Sequence, residues 1–321
     1  MARTRAYRDG ELVDEDFALE DLSEHLDDGC LVWADLVSPH NGQLSLVAEE
    51  LSLHDLAVED ALEPRQRPKL DRYDSHVFLT AYDVRFDPTG GGLSLSPVSA
   101  FVSQRAVVTV HDTTFDPRRL TARWDSSTDL TRHGIAFLLH GMLDVLVDSQ
   151  FAAVEGLDEE IEGLEDLLFE DQPLSREVQQ RSFRLRKSLV LLRRVTLPMR
   201  EVVNTILRRE VPGITDEMLP YFHDVNDHVL RVSEWTESLR DLVATILETN
   251  LTIQGNRLNT IMKQVTSWAA IIAVPTAVTG FYGQNVPYPG SGHFGGFATS
   301  TGLMIALSIG LFVAFRRRDW V

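Results

Sequence analysis

Two kinds of apolar pattern divide this chain. Over residues 1–132, short runs rich in β-branched and aromatic residues alternate with amphipathic stretches. The runs Leu31–Leu36, Val77–Phe86, Leu93–Ser103 and Ala106–His111 predict strands, and Gln43–Leu53 and His54–Leu62 predict helices. The segment Asp87-Pro88-Thr89-Gly90-Gly91-Gly92 predicts a turn joining the second strand to the third. An α/β domain follows from this, with its sheet order left open. From His133 the pattern is almost wholly helical. A helical pair is expected over 133–215, divided at Asp171-Gln172-Pro173. A further helical pattern begins near Asp216 and finds no stop before Gly283. Those 68 residues would span about 100 Å as one helix. A helix of that length needs a bundle partner or copies of itself to be stable in water. Gly255 and Pro275 are its weak points.

The last part of the chain changes character. Gln264–Phe315 contains no Asp, Glu, Lys or Arg in 52 residues. Val265–Gly283 and Ala298–Phe315 supply 19 and 18 uncharged residues, each just long enough to cross a bilayer. The intervening 284–297, rich in Gly and Pro, is expected to turn outside it. Lys263 precedes the first span, and Arg316, Arg317 and Arg318 follow the second in the basic tail 316–321. By the positive-inside rule both termini are expected in the cytoplasm, in a multi-pass protein of the cell's inner membrane. The opening MARTRAYRDG has no apolar core of a signal peptide, so the body is expected to be cytosolic. The alternative is a hairpin buried in a soluble protein.

Charge sharpens this division. The chain carries 30 Lys+Arg against 48 Asp+Glu, a net −18. Such a balance argues against nucleic acid as a partner, because phosphate backbones reward positive charge. Asp148–Gln172 holds ten acids and no base, whereas Arg176–Arg194 holds seven bases and one acid. The two stretches either face each other across the helical pair, form separate solvated faces, or present an acidic surface that attracts cations. The one cysteine, Cys30, excludes an internal disulfide framework. No Walker loop, GxGxxG, CxxC pair or nucleophile elbow occurs, and His25, His54, His111 and His140 lack metal-ligand spacing. An enzyme is therefore not expected, and no catalytic cofactor.

Within the first span, Ala269, Ala273, Thr276, Gly280 and Gly283 recur at spacings of 4, 3, 4 and 3. Val265, Met262 and Asn259 continue this seam upstream, while Trp268, Ile271, Val274, Val278 and Phe281 fall elsewhere around the helix. Small residues allow close packing of membrane helices, as a dimer face or around a narrow symmetric pore. The long stalk over 216–264, continuous with the seam, favours the pore.

The turn Gly280-Phe281-Tyr282-Gly283-Gln284-Asn285 resembles the Tyr-Gly-Met-Asn signature of the CorA family of divalent-cation channels. It lies, as in that family, at the end of the first of two C-terminal spans. Arg316-Arg317-Arg318-Asp319-Trp320, the segment Leu219–His228 and Arg67-Pro68-Lys69 also resemble family segments. The resemblance implies an α+β fold: a cytosolic α/β domain, a long stalk helix contributing to a funnel, and a two-helix membrane hairpin. It further implies a homopentamer in the lipid bilayer that takes up Mg²⁺ passively, with Co²⁺ and Ni²⁺ as further cargo. Gly283, Gln284 and Asn285 would form the ion filter. Gly280, Thr276, Ala273 and Ala269 would line the pore, Val265 and Met262 an apolar gate, and Asn259 the cytosolic mouth. Cytosolic Mg²⁺ would close the channel by bridging subunits, through Glu248 and either Asp87 or Asp83. Gln284 stands where the family usually has Met, and the outer loop has no acid. A zinc transporter of the same fold, with His293 as a soft-metal contact, is the alternative within the family; a membrane-anchored regulator without a pore lies outside it.

Overall fold

The computed structural model describes residues 2–39, 41–63, 66–168, 175–284, 290 and 292–321. Two compact units are present, 1–246 and 247–321.

The first unit is built on one mixed sheet. Its strands are β1 (Ala2–Arg8), β2 (Glu11–Glu15), β3 (Leu31–Val37), β4 (Lys69–Arg72), β5 (Val77–Asp87), β6 (Gly92–Val102) and β7 (Ala106–His111). Their order is β2-β1-β3-β7-β6-β5-β4. Among the described strands β3 and β7 run parallel and the other pairs antiparallel. Helices cover both faces, which explains why the central strands read as nearly unbroken apolar runs. Alternation assigns the faces. Val32 and Ala34 lie with Phe78 and Phe101 against α1 (Leu22–Asp27), α2 (Asn41–Glu50) and α3 (Asp55–Leu62). Trp33, Val77 and Leu79 point the other way, into a core shared with α4 (Arg118–Asp125), α5 (Ile135–Leu168), α6 (Ser175–Leu207) and the start of α7 (Leu219–Tyr282). Gly156 permits α5 to lie close on β5, since a Cβ there would strike the Phe86 ring.

The four expected strands are present at β3, β5, β6 and β7, and Asp87–Gly92 closes the β5–β6 hairpin. Sequence patterning missed β1, β2 and β4, with sequences ARTRAYR, ELVDE and KLDR. β2 and β4 are the sheet's edges, where charged residues suit exposed backbone. In β1 the charge is internal: Arg5 is buried and paired with Glu15 at 2.7 Å and Asp125 at 2.8 Å.

The helical expectations hold with shifted ends. The long helix α7 covers 64 residues, from Leu219 to Tyr282. Helix α8 (Phe294–Arg316) starts four residues before the expected second span, so the expected outer loop 284–297 includes its first turn. The divider Asp171-Gln172-Pro173 lies outside the described residues. Between α5 and α6, Arg181 pairs with Glu160 at 2.9 Å. Glu155, Glu159, Glu162 and Asp166 stay exposed, so most of the opposed charge is solvated rather than interlocked.

Candidate functional site

The second unit consists of the later part of α7 and all of α8. In α7, Ser267 is fully buried, and Ala270, Ile271, Val274, Pro275, Val278 and Tyr282 are partly buried along one stripe at helical spacing. Trp268 meets Phe312 of α8 with ring centroids 6.4 Å apart. The bulky stripe is thus the face that α7 turns towards its own hairpin partner.

The small-residue seam lies elsewhere on the helix. Asn259, Met262, Val265, Ala269, Ala273, Thr276, Gly280 and Gly283 are all exposed in the single chain. Exposure reaches 67% at Met262 and 63% at Val265, high for apolar side chains that no group of the same chain covers. The Thr276 hydroxyl donates to the Ile272 carbonyl at 3.1 Å, which satisfies its proton and leaves its oxygen lone pairs for another donor or a cation. Ser267 donates to the Lys263 carbonyl at 2.7 Å on the buried side.

The two signature glycines differ. A Cβ at Gly283 would lie 2.8 Å from the Thr279 carbonyl oxygen, which itself accepts the Gly283 amide at 2.8 Å. Glycine at 283 is therefore required by the helix end itself. A Cβ at Gly280 would meet nothing within 4 Å, so nothing within its own chain demands glycine there. Gln284 is exposed and ends this segment; its amide donates to Phe281 at 3.4 Å. Asn285 lies outside the described residues. At the far end of α8, Arg316, Arg317 and Arg318 are exposed and form no ion pair among the described residues, and Trp320 stacks on Phe315 at 5.7 Å.

The candidate regulatory acids have three different environments. Glu248 is exposed on α7, within the second unit. Asp87 is exposed at the β5–β6 turn and accepts from the Thr89 amide at 3.0 Å and the Thr89 hydroxyl at 2.6 Å. These bonds, with one from the Gly90 amide, hold its carboxyl below the usual range. Asp87 thus builds the turn and stays ionised at the surface. Asp83 corrects the expectation of a surface ligand. It is fully buried on β5, bonded to Arg85 at 3.1 Å and to Arg119. A buried carboxylate requires cationic partners, and the two guanidinium groups already provide them.

Three of the histidines have structural partners. His54 caps α3 by accepting from the Leu56 amide at 3.2 Å, and His25 lies 3.3 Å from Asp14. His111 faces Asp35 at 3.0 Å, while Thr109 donates to the same carboxylate at 2.5 Å and accepts from Trp33 at 3.1 Å. This buried network was not legible in the sequence, because its members sit on two strands joined in parallel across more than 70 positions. Among the described residues no group of three or more His, Cys, Asp or Glu could hold a metal ion.

Comparison with known proteins agrees with this arrangement. A family model described as "CorA-like Mg2+ transporter protein" matches residues 28–317. The cobalt/magnesium transport protein CorA of Thermotoga maritima is 29% identical, over 94% of this chain and 87% of its own length. The protein of the same name from Methanocaldococcus jannaschii is 25% identical over 98% of both chains. The complete structure of the CorA magnesium transporter from that organism superposes with a TM-score of 0.77 at 23% identity, covering 100% of this chain and 99% of that one. The zinc transport protein ZntB of Yersinia enterocolitica is more distant, 23% identical over 79% of this chain and 77% of its own. With a match across nearly its whole length, this chain belongs to the CorA-like Mg²⁺ transporter family, and it is a membrane transporter of divalent cations rather than an enzyme.

Proposed function

We propose that the chain is a homopentameric channel for passive uptake of Mg²⁺, with Co²⁺ and Ni²⁺ as further cargo. The observation that carries this reading is the seam on α7: small or neutral-polar residues with Val265 and Met262, all exposed in one chain, on a face that α8 does not cover. Five copies of α7 would enclose that seam. Gly280, Thr276, Ala273 and Ala269 would then line the pore, Val265 and Met262 would form an apolar constriction that gates by dewetting, and Asn259 would ring the mouth. Gly280, with open space at its Cβ position, fits close approach of a second helix. Two spans, 265–283 and 298–315, would return the chain to the cytoplasm, where Arg316–Arg318 fix orientation. The remaining segments would serve as α/β domain (1–132), outer helical pair (133–215) and stalk (216–264).

Mg²⁺ dehydrates reluctantly and usually keeps several waters. A ring of Asn285 amide oxygens, beside carbonyls of Gly283 and Gln284, would hydrogen-bond that water shell and release it again. Cytosolic Mg²⁺ is proposed to close the channel by bridging Glu248 of one subunit and Asp87 of its neighbour. Both are exposed, so each is free to meet a carboxylate of another copy.

Ion flux into proteoliposomes tests the reading. Mg²⁺ should enter in preference to Zn²⁺, and native mass spectrometry should give five chains. Preferential Zn²⁺ flux would favour the zinc transporter, and a dimer without flux would favour a membrane anchor.

A further inference from the structure

Two adjoining clefts on the first unit share Arg67 and Arg194. One, of about 210 Å³, runs between the Gln66–Pro68 segment, Tyr82 and α6. The other, of about 320 Å³, adds Arg193 of α6 and Arg240 of α7. Among the described residues no carboxylate lines either cleft, although the chain as a whole carries a net −18. Behind the walls, Glu237 bonds Arg193 and lies 2.9 Å from Arg240, which also has Asp241 at 3.4 Å. Arg67 and Arg194 have no ion pair among the described residues. The clefts are held in place by the fold. The Tyr82 hydroxyl donates to the Gln66 carbonyl at 2.5 Å, Pro68 is buried, and Val195, next to Arg194, is 2% exposed.

Guanidinium groups gathered around one hollow repel one another until an anion joins them. Their planar forks match phosphate oxygens in paired hydrogen bonds. Two unpaired forks, with two more partly neutralised by Glu237 and Asp241, suit a diphosphate better than a simple halide. The apolar wall at Pro68, Leu95 and Leu191 suits an organic group attached to it. We propose that this double cleft binds a phosphate-bearing small molecule of the nucleoside diphosphate class. Bound there, it would tie α6 to the first part of α7 and to the segment preceding β4.

Calorimetric titration of the full-length protein in detergent tests this, with inorganic pyrophosphate and ADP as separate probes. The buffer is free of divalent cations, so that chelation by the probes does not contribute. Both probes should bind, ADP more tightly, and both more weakly as salt rises. Arg67→Ala/Arg194→Ala should weaken binding about tenfold or more, as expected for lost charge-assisted hydrogen bonds. Its thermal melt should match wild type, because neither arginine gives up an ion pair. Glu237→Gln should act in the opposite direction and tighten binding several-fold, by freeing Arg193 and leaving Arg240 only its 3.4 Å contact with Asp241. The proposal is overturned if neither probe binds, if sulfate binds as tightly as pyrophosphate, or if affinity is unchanged in the double variant. Should the double variant fail to fold, the Glu237→Gln titration decides alone: unchanged or weaker binding overturns the site.

Discussion

Helix α5 and the C-terminal helices have similar composition and opposite surroundings. The best window of α5 has a mean hydropathy of 1.4, equal to that of α7 and near the 1.9 of α8. All three are long and apolar enough to cross a bilayer. Yet 83% of the α5 window is buried inside the protein, against 6% for α7 and none for α8. Hydropathy alone therefore does not separate a core helix from a membrane helix. What separates them is the neighbourhood. The apolar half of α5 runs into Glu155–Asp166 and packs beneath a sheet, with Leu138, Met142, Leu143 and Leu146 fully enclosed. In α7 and α8 most apolar side chains beyond the stripe shared by the two helices stay exposed in the single chain, and no charge interrupts them between Gln264 and Phe315. The absence of charge, rather than the amount of apolar surface, marked the membrane unit in the sequence.

The strongest test of this contrast places one charge in each region. Leu143→Lys puts an unpaired ammonium into a fully enclosed site and should destabilise the first unit by about 3–5 kcal/mol, read as loss of the cooperative thermal melt. The same residue at Thr276, on the exposed seam, should leave that melt intact and reduce cation flux. Equal damage to the melt from both would erase the distinction. Next in size, Asn285→Ala should abolish flux in an assembled, membrane-inserted protein; normal flux would remove Asn285 from the filter. Gln284→Met should be milder, since it restores the residue more common in the family.

A smaller effect is expected at the proposed subunit contact. Glu248→Lys substitutes a fixed cation for a mobile one, so α7 should be protected from protease with or without Mg²⁺. Wild type should gain protection only as Mg²⁺ rises. Unchanged Mg²⁺ dependence in the variant would move the sensor to other acids, with the exposed stripe of α5 as the next to test.

The smallest expected effect is on pH dependence, and it belongs to the buried region alone. Burial pulls the His111 imidazole pKa down, but the Asp35 carboxylate and the Asp112 carbonyl outweigh it and leave the pKa raised. The two ring nitrogens face these acceptors at 3.0 Å and 2.6 Å, an arrangement suited to the doubly protonated ring. A raised pKa in the folded state stabilises fully below the unfolded value of about 6.5 and ceases to do so as pH rises through the folded value. Thermal stability of the first unit should fall over that window, and His111→Gln should flatten the slope. An unchanged slope would mean that other groups set it.

Much of this was readable before any coordinates. Runs rich in β-branched and aromatic residues identified four of the five inner strands, β3, β5, β6 and β7, because helices cover both of their faces; β1 was missed because Arg3, Arg5 and Arg8 interrupt its apolar pattern. The edge strands β2 and β4 escaped, since their residues answer to solvent rather than to packing. The seam was legible as a spacing, and the structure adds that α8 packs on a different face. Asp83 shows the limit of a residue-type argument. Asp83 and Asp87 lie four apart on one strand, but the first is enclosed by Arg85 and Arg119 and the second shapes an exposed turn. Partners brought from α4, more than 30 positions away, decided that difference. The arginine clefts were hidden for the same reason, since their arginines come from three distant parts of the chain.

The start of α7 has a consequence for synthesis. Phe222, Val225 and Val229 complete the main core of the first unit, and the first uncharged span begins at Val265, only 36 positions after Val229. On the ribosome, the domain therefore cannot close until the piece that closes it has emerged, and the hydrophobic span follows almost at once. Strand β3 likewise waits for β7, its only parallel partner, while β1 can pair with it early. Completion of the first unit and delivery of the span to the membrane thus become nearly simultaneous events, timed by one helix that belongs to both.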